Sequence, residues 1–304
     1  MLDRTRGTRL ALAIVLCLQG AALAQPQVLP LPPVQAPRVQ APRGFELNAL
    51  EQARLDQVLD AWQAESGKIN TFKCSFQRWE YDVAFGPGQN IPHNKDKGEL
   101  SYHRPDKGSF QITEMRTFQS KPAGPGQGPA APAEADWVEQ ANAVGEHWVC
   151  DGKSVYEYRH DQKQLVERPI PPQLQGQAIA DGPLPFLFGA DAAKLKQRYW
   201  IRIQQEDADK IWLVARPRFQ EQAADFTVVE VMLDRERLLP KAMQVHMPNG
   251  NRHLYWFDIA NASVNSRLAR LQALFERPRV PAGWKRVVEN IPLQQAAQPV
   301  ESPR

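Results

Sequence analysis

The sequence predicts a mainly β protein of the α+β class, an antiparallel sheet whose one open face is covered by helices. Three observations carry this reading. About ten short stretches show apolar residues alternating at period two, Asp151-Gly152 and Pro248-Asn249-Gly250-Asn251 supply hairpin turns between them, and a single helical stretch precedes them all.

The chain opens with Arg4, Arg6 and Arg9 ahead of the apolar run Leu10 to Leu18, and Ala22-Leu23-Ala24 then offers small residues where a signal peptidase reads. Residues 1–24 are therefore expected to be a signal peptide cut before Gln25. A membrane anchor is the competing reading, but the run is roughly half of the ~20 apolar residues a span requires. Cys17 follows Leu16, where a lipidation site needs a small residue, so a lipoprotein signal is not expected. The net charge is +3, and the leader's three arginines against Asp3 account for most of it. The mature chain is then nearly neutral and offers nothing to nucleic acid or an acidic membrane surface. It should be soluble, and about 280 residues suffice to bury one substantial core.

Residues 25–43 carry Pro26, Pro30, Pro32, Pro33, Pro37 and Pro42 with no apolar periodicity, which reads as an extended, disordered linker. Leu47, Leu50, Leu55, Val58, Leu59 and Trp62 then recur at helical spacing, with Gly67 as a stop. From Phe72 the period becomes two. Phe72, Cys74 and Phe76 share one face while Trp79, Tyr81 and Val83 take the other parity, so a bulge, or a strand buried on both sides, is expected near Gln77 and Arg78. Further strands are expected at Glu99–His103, Ser109–Glu114, His147–Cys150 and Ser154–Arg159. After the apolar knot Gly182–Gly189 and a short helix through Ala192, Leu195 and Tyr199, they resume at Trp200–Gln204, Ile211–Ala215, Phe226–Leu233, Ala242–Met247 and Arg252–Ile259. Residues 121–135 collapse to Gly, Pro and Ala and read as a flexible insertion. Their glycines lack the Gly-Lys-Ser/Thr ending of a phosphate loop.

Chemical machinery is sparse in this sequence. Six histidines are present, none spaced as helical His-x-x-x-His or beside a Cys-x-x-Cys pair. His246 and His253 could meet across the Asn249-Gly250 hairpin and, with Asp258, form a weak metal site, or they could be two exposed strand histidines. No Gly-x-Ser-x-Gly elbow exists, and Ser101, Ser109 and Ser154 fall in strand patterns without an adjacent base. Glu99, Glu114, Asp151 and Glu157 read as solvated strand or turn carboxylates. No enzyme, cofactor or metal is expected. Cys74 and Cys150 lie in an oxidising compartment if the leader is used. A simple meander would put them three strands apart, on the order of 14 Å at ~4.8 Å per strand against a ~7 Å bridging limit. Barrel curvature could shorten that gap, so a disulfide and two buried apolar thiols both stay open.

Aromatic residues are what remain: Phe72, Phe76, Phe110, Trp148, Phe186, Phe188, Trp256 and Phe257 lie in or beside the expected strands and the knot. On composition alone they form an ordinary core. Their setting, however, resembles the outer-membrane lipoprotein-sorting family, the periplasmic LolA-like carriers. Phe72-Lys-Cys-Ser-Phe-Gln77 resembles that family's opening strand, and Gly98-Glu-Leu-Ser-Tyr-His-Arg104-Pro105 its Gly-Asp/Glu-Leu…Arg-Pro strand. Asp151-Gly152-Lys153 with Tyr156-Glu-Tyr158 resembles its Asp-Gly-Lys hairpin. Pro185-Phe186-Leu187-Phe188 is similar to its lid helix, and Leu274-Phe275…Pro281-Ala-Gly283-Trp284 to its closing segment.

The resemblance implies that residues 44–288 form a highly curved antiparallel sheet of around eleven strands, an unclosed half β-barrel capped by helices, with 289–304 a disordered tail. It implies an apolar cavity for acyl chains lined by Phe110, Ile112 and Trp148, with Phe186, Leu187 and Phe188 in the lid. Arg104 would be the latch that bonds lid carbonyls and controls opening. The implied function is a periplasmic carrier of a lipidated protein or free lipid, monomeric, with an inner-membrane donor and an outer-membrane acceptor. The alternative is a sensor or scaffold of the same fold that binds a protein partner in the cell envelope. The linker, the 121–135 insertion and a further loop at Gly86–Lys97 depart from the family pattern and bear on whether the same partners dock.

Overall fold

A computed structural model describes residues 41–120, 132, 136–141, 143–172, 175, 186, 191–266 and 275–289. The leader, nearly all of the linker and the 121–135 insertion, Leu187, Phe188 and the tail beyond Glu289 lie outside these residues.

The elements run α1 (Ala49–Gly67), β1 (Thr71–Tyr81), β2 (Asn94–His103), β3 (Lys107–Phe118), β4 (Trp137–Glu139), β5 (His147–Asp151), β6 (Ser154–Arg159) and β7 (Gln164–Pro169). Then follow α2 (Ala192–Arg198), β8 (Tyr199–Glu206), β9 (Lys210–Pro217), α3 (Gln220–Asp225), β10 (Val228–Asp234), β11 (Pro240–His246), β12 (Arg252–Phe257), β13 (Ser263–Val264) and β14 (Lys285–Val288). The strands form one curved, unclosed sheet in the order β14-β7-β6-β5-β3-β2-β1-β12-β11-β10-β9-β8, with β13 beside β1 and β4 beside β3. Pairing is antiparallel except between β14 and β7. β1 sits at the centre because its alternating apolar face can be flanked on both sides, by β2 and by β12.

α1 starts at a capping box in which the Asn48 side chain accepts from the Leu50 and Glu51 amides at 2.9 and 3.0 Å, while Glu51 accepts from the Asn48 amide at 2.9 Å. Its apolar stripe, Leu55, Val58, Leu59 and Trp62, is buried on the sheet. That inner face gathers Phe72, Cys74 and Phe76 of β1, Leu100 and Tyr102 of β2, Phe110 and Ile112 of β3, and the apolar residues of β8 to β12 into one core. No helix among the described residues is long and apolar enough to cross a membrane.

Several expectations change. β4, β7, β13 and β14 were not foreseen, and β2 begins at Asn94, so four residues of the expected 86–97 loop are strand. β1 has no bulge: its register with β2 and β12 runs unbroken through Gln77 and Arg78, because Arg78 keeps the inward parity of Phe76. The irregularity lies instead in the β2–β3 pairing at Lys97/Gly98. His246 pairs with Arg252 and His253 with Val245, so the two histidines occupy opposite faces of the sheet and cannot share an ion. Cys74 and Cys150 are free and buried, three strands apart through the pairs Phe72–Tyr102, Tyr102–Gly108 and Gly108–Cys150. Burial pushes their thiols up to about 12 and about 11, which makes both unreactive.

Candidate functional site

A ladder of aromatic rings crosses the inner face from strand to strand. The Asp151-Gly152 turn, in which Asp151 accepts the Lys153 and Ser154 amides at 2.8 Å each, sets β5 so that Trp148 stands opposite Phe110. Their rings stack with centroids 5.7 Å apart, and Phe110 stacks in turn on Phe76 at 4.9 Å. Phe76 belongs to β1, and the strand between them is β2. The ring spans that strand because Gly98 stands directly opposite Phe76: a Cβ there would lie 2.4 Å from the Phe76 ring and 2.5 Å from the Gln111 carbonyl. Phe76 continues the ladder to Tyr255 and Phe257 of β12 at 6.0 and 6.2 Å. Such pairs contribute about 0.5–1.5 kcal/mol each beyond their buried area.

The ladder is bounded by charge in two directions. Two residues along β1, Arg78 is 5% exposed, flanked in register by Tyr255 and Asp96. Its guanidinium donates to Asp96 at 2.8 and 3.1 Å and to Glu146 at 2.8 Å, and pairs with Glu80 at 3.0 Å. Burial raises the Asp96 carboxyl to about 6 against the pull of Arg78, and Glu80 and Glu146 push the same way as burial. The Tyr255 hydroxyl is likewise raised to about 12 by burial, and His253, 3.4 Å from Glu80, is lowered by burial. At the β5 end, Trp148 is followed by Glu157, which pairs with Arg159 at 3.2 Å and Arg168 at 2.7 Å, both of which also meet Glu289.

Phe110, Ile112 and Trp148 are thus brought together, with Phe110 and Ile112 buried and Trp148 half-buried. Phe186 is elsewhere: it is buried against Tyr199 at the start of β8, ring centroids 4.9 Å apart, because its segment leads directly into α2. Leu187 and Phe188 lie outside the described residues. Arg104 donates from Nη2 to the Ser66 carbonyl at 3.4 Å, at the C-terminal end of α1. That helix end carries partial negative charge, the Ser66 carbonyl also accepts the Ile69 amide at 3.1 Å, and α1 has no basic residue of its own in its last turn.

The sequence marks Gly98 only as a motif residue, leaves out Tyr255, and groups Trp256 with the inner aromatics. Trp256 faces outward, 38% exposed, because β12 turns Tyr255 and Phe257 inward. Parity counted back from Phe257 would have found this.

α1 is fastened unevenly. Arg54 reaches Glu206 at the end of β8, Asp56 pairs with Lys196 of α2 at 2.9 Å, and the Gln63 side chain accepts the Ala192 amide at 2.7 Å. Asn265 donates to the Lys68 carbonyl at 2.8 Å. Among the described residues, no polar contact joins α1 to β3 or β5.

No family model matches the sequence, and no curated protein matches it. Solved structures are similar at low identity. An uncharacterized conserved protein from Thermus thermophilus is 12% identical with a TM-score of 0.41, over 78% of this chain and 99% of that one. The Pseudomonas aeruginosa MucA/MucB complex gives 14% and 0.36, over 72% of this chain and 60% of that one. A LolA superfamily protein from Nitrosomonas europaea gives 6% and 0.31, over 72% and 97%.

Proposed function

We propose that this chain is an exported protein of the cell envelope that holds an apolar acyl chain, of a lipidated protein or of free lipid, against the aromatic ladder of its inner face. The observation that carries this reading is the end of the ladder at Trp148. Trp148 ends the stack half-buried, on the side of the sheet where α1 makes no polar contact, while α1 is fixed to α2 and β8 on the other side. In this reading α1 is the lid, held along one side by these contacts and at its C-terminal end by Arg104, and opening it would uncover its buried stripe Leu55, Val58, Leu59 and Trp62. Arg104 is suited to the latch because a guanidinium keeps its charge and can exchange one carbonyl for another.

The energetics favour an enclosed chain over a surface patch. Burying a sixteen-carbon chain at ~0.8 kcal/mol per methylene is worth about 12 kcal/mol, enough to hold cargo through a periplasmic transit. The leader Arg4–Ala24 and the ordered motifs of residues 72–284 support the envelope setting.

The test is mass spectrometry of organic-extractable material released from the purified native protein, together with binding of a fluorescent fatty acid. The expected result is acyl-bearing cargo and saturable binding that Trp148→Asp weakens at least tenfold. A protein that releases no lipid, binds no fatty acid and retains a defined protein partner through detergent would replace the carrier reading with the partner-binding one.

A further inference from the structure

We propose that the outer face carries a separate binding site for a phosphate group, in a cleft of about 420 Å³ lined by His103, Lys107, Asp151, Lys153, Phe275, Glu276 and Arg277. This size lies within the range of small-ligand sites. The site is independent of the acyl-binding proposal. His103, Lys107 and Asp151 alternate along their strands with Tyr102, Gly108 and Cys150, so they point away from the aromatic ladder.

The topology builds the cleft from two neighbouring turns and one returning segment. β3 pairs with both β2 and β5, which sets Lys107 directly between His103 and Asp151. The Asp151-Gly152-Lys153 turn adds Lys153 at the rim. Residues 275–277 then close one side: Phe275 is buried with its ring 5.8 Å from that of His103, and Arg277 is anchored to Glu167 at 3.3 Å.

The charges inside are unequal in their freedom. Asp151 is committed to its own turn, accepting the Lys153 and Ser154 amides and the Tyr156 hydroxyl at 3.2 Å. Glu167 beneath Arg277 also receives Arg286, so two guanidinium groups share one carboxylate. Neither the Lys107 nor the Lys153 ammonium has an ion-pair partner among the described residues, and His103 Nδ1 is buried without a hydrogen-bond partner. Lys107, Lys153 and Arg277 give the lining three cations against the two carboxylates of Asp151 and Glu276, and the two ammonium groups without an ion-pair partner suit a compact anion with several oxygens. Lysine binds such an anion as a point charge. The phosphate could be that of a soluble ester or of a phospholipid headgroup, and the two are separable by experiment.

Isothermal titration of the purified protein with glycerol 3-phosphate and with inorganic phosphate, and flotation with phosphatidylglycerol against phosphatidylcholine vesicles, test the site. Binding in solution without flotation identifies a soluble ester, and flotation specific to phosphatidylglycerol identifies a headgroup. In either case Lys107→Gln with Lys153→Gln should reduce binding at least tenfold, Arg277→Gln should reduce it severalfold, and Lys241→Gln on β11 should leave it unchanged. Fatty-acid binding should be the same in all of these variants, which keeps failure of this site distinct from failure of the acyl site. Wild-type protein that binds neither phosphate probe nor vesicle, or a double variant that binds as wild type does, would overturn the proposal.

Discussion

Phe76 and Arg78 sit two residues apart on β1, both inward and both buried, yet the inner face around them is built on opposite principles. Around Phe76 it is apolar and continuous: rings from β5, β3, β1 and β12 lie against one another across a glycine. Around Arg78 a single guanidinium is shared by Asp96, Glu80 and Glu146. Under the acyl-binding proposal, a chain laid along the rings would extend toward Trp148 but not past Arg78, where it would strip buried charges of their partners. In that reading the charged end would be a stop and the Trp148 end the entrance.

The largest effect should come from breaking the stop. Arg78→Met leaves Asp96 buried and unpaired and is expected to cost about 3–5 kcal/mol of stability by denaturant unfolding, with Arg78→Met plus Asp96→Leu recovering much of it. A double variant no more stable than the single one would show that the pair is not the unit.

Next is a pH dependence of definite sign. The folded state raises the Asp96 carboxyl from 3.8 to about 6, so it binds a proton more tightly than the unfolded chain does. The stability this group contributes is complete below pH 3.8 and is lost as pH rises through about 6. The loss is at most roughly 3 kcal/mol. Asp96→Asn should flatten that slope, and an unchanged profile would place the titration elsewhere. His147 acts in the opposite sense: burial lowers it from 6.5 to about 4, so its contribution is present above pH 6.5 and is lost as pH falls toward 4.

A smaller effect probes the apolar end. Gly98→Ala places a methyl against the Phe76 ring and the fixed Gln111 carbonyl, and should cost about 1–3 kcal/mol while separating Phe76 from Phe110. Near-UV circular dichroism would report the lost stacking. Smallest is the latch. Arg104→Leu removes one long hydrogen bond to Ser66 and should cost about 0.5–1 kcal/mol, with faster amide exchange confined to the last turn of α1. Uniform exchange across the sheet would contradict a local latch.

Much of the architecture was legible in the residues. The Leu47–Gly67 spacing, the Asp151-Gly152 and Asn249-Gly250 turns and the period-two stretches yield α1 and most of the sheet, because these features are local. β7 was not legible: Gln-Leu-Val-Glu-Arg-Pro offers only two apolar residues, and its burial depends on β6 and on β14, some 120 residues later. Arg78 looked like a break in the pattern because the partners that let a charge point inward, Asp96 and Glu146, lie 18 and 68 residues away. Phe110, Ile112 and Trp148 come from the family resemblance, and the strands place them on one face, whereas the reach of Phe76 to Phe110 depends on a missing side chain on an intervening strand.

The central claim is that an acyl chain lies on the inner rings and enters beside Trp148. Photo-crosslinking of the purified protein with a diazirine-bearing palmitate, followed by peptide mapping, reads this directly. Label concentrated in the peptides that contain Phe110, Ile112 and Trp148, and reduced at least tenfold by Trp148→Asp, is the result expected. Label confined to the outward-facing Trp256 and Leu254, or none above background, would contradict it.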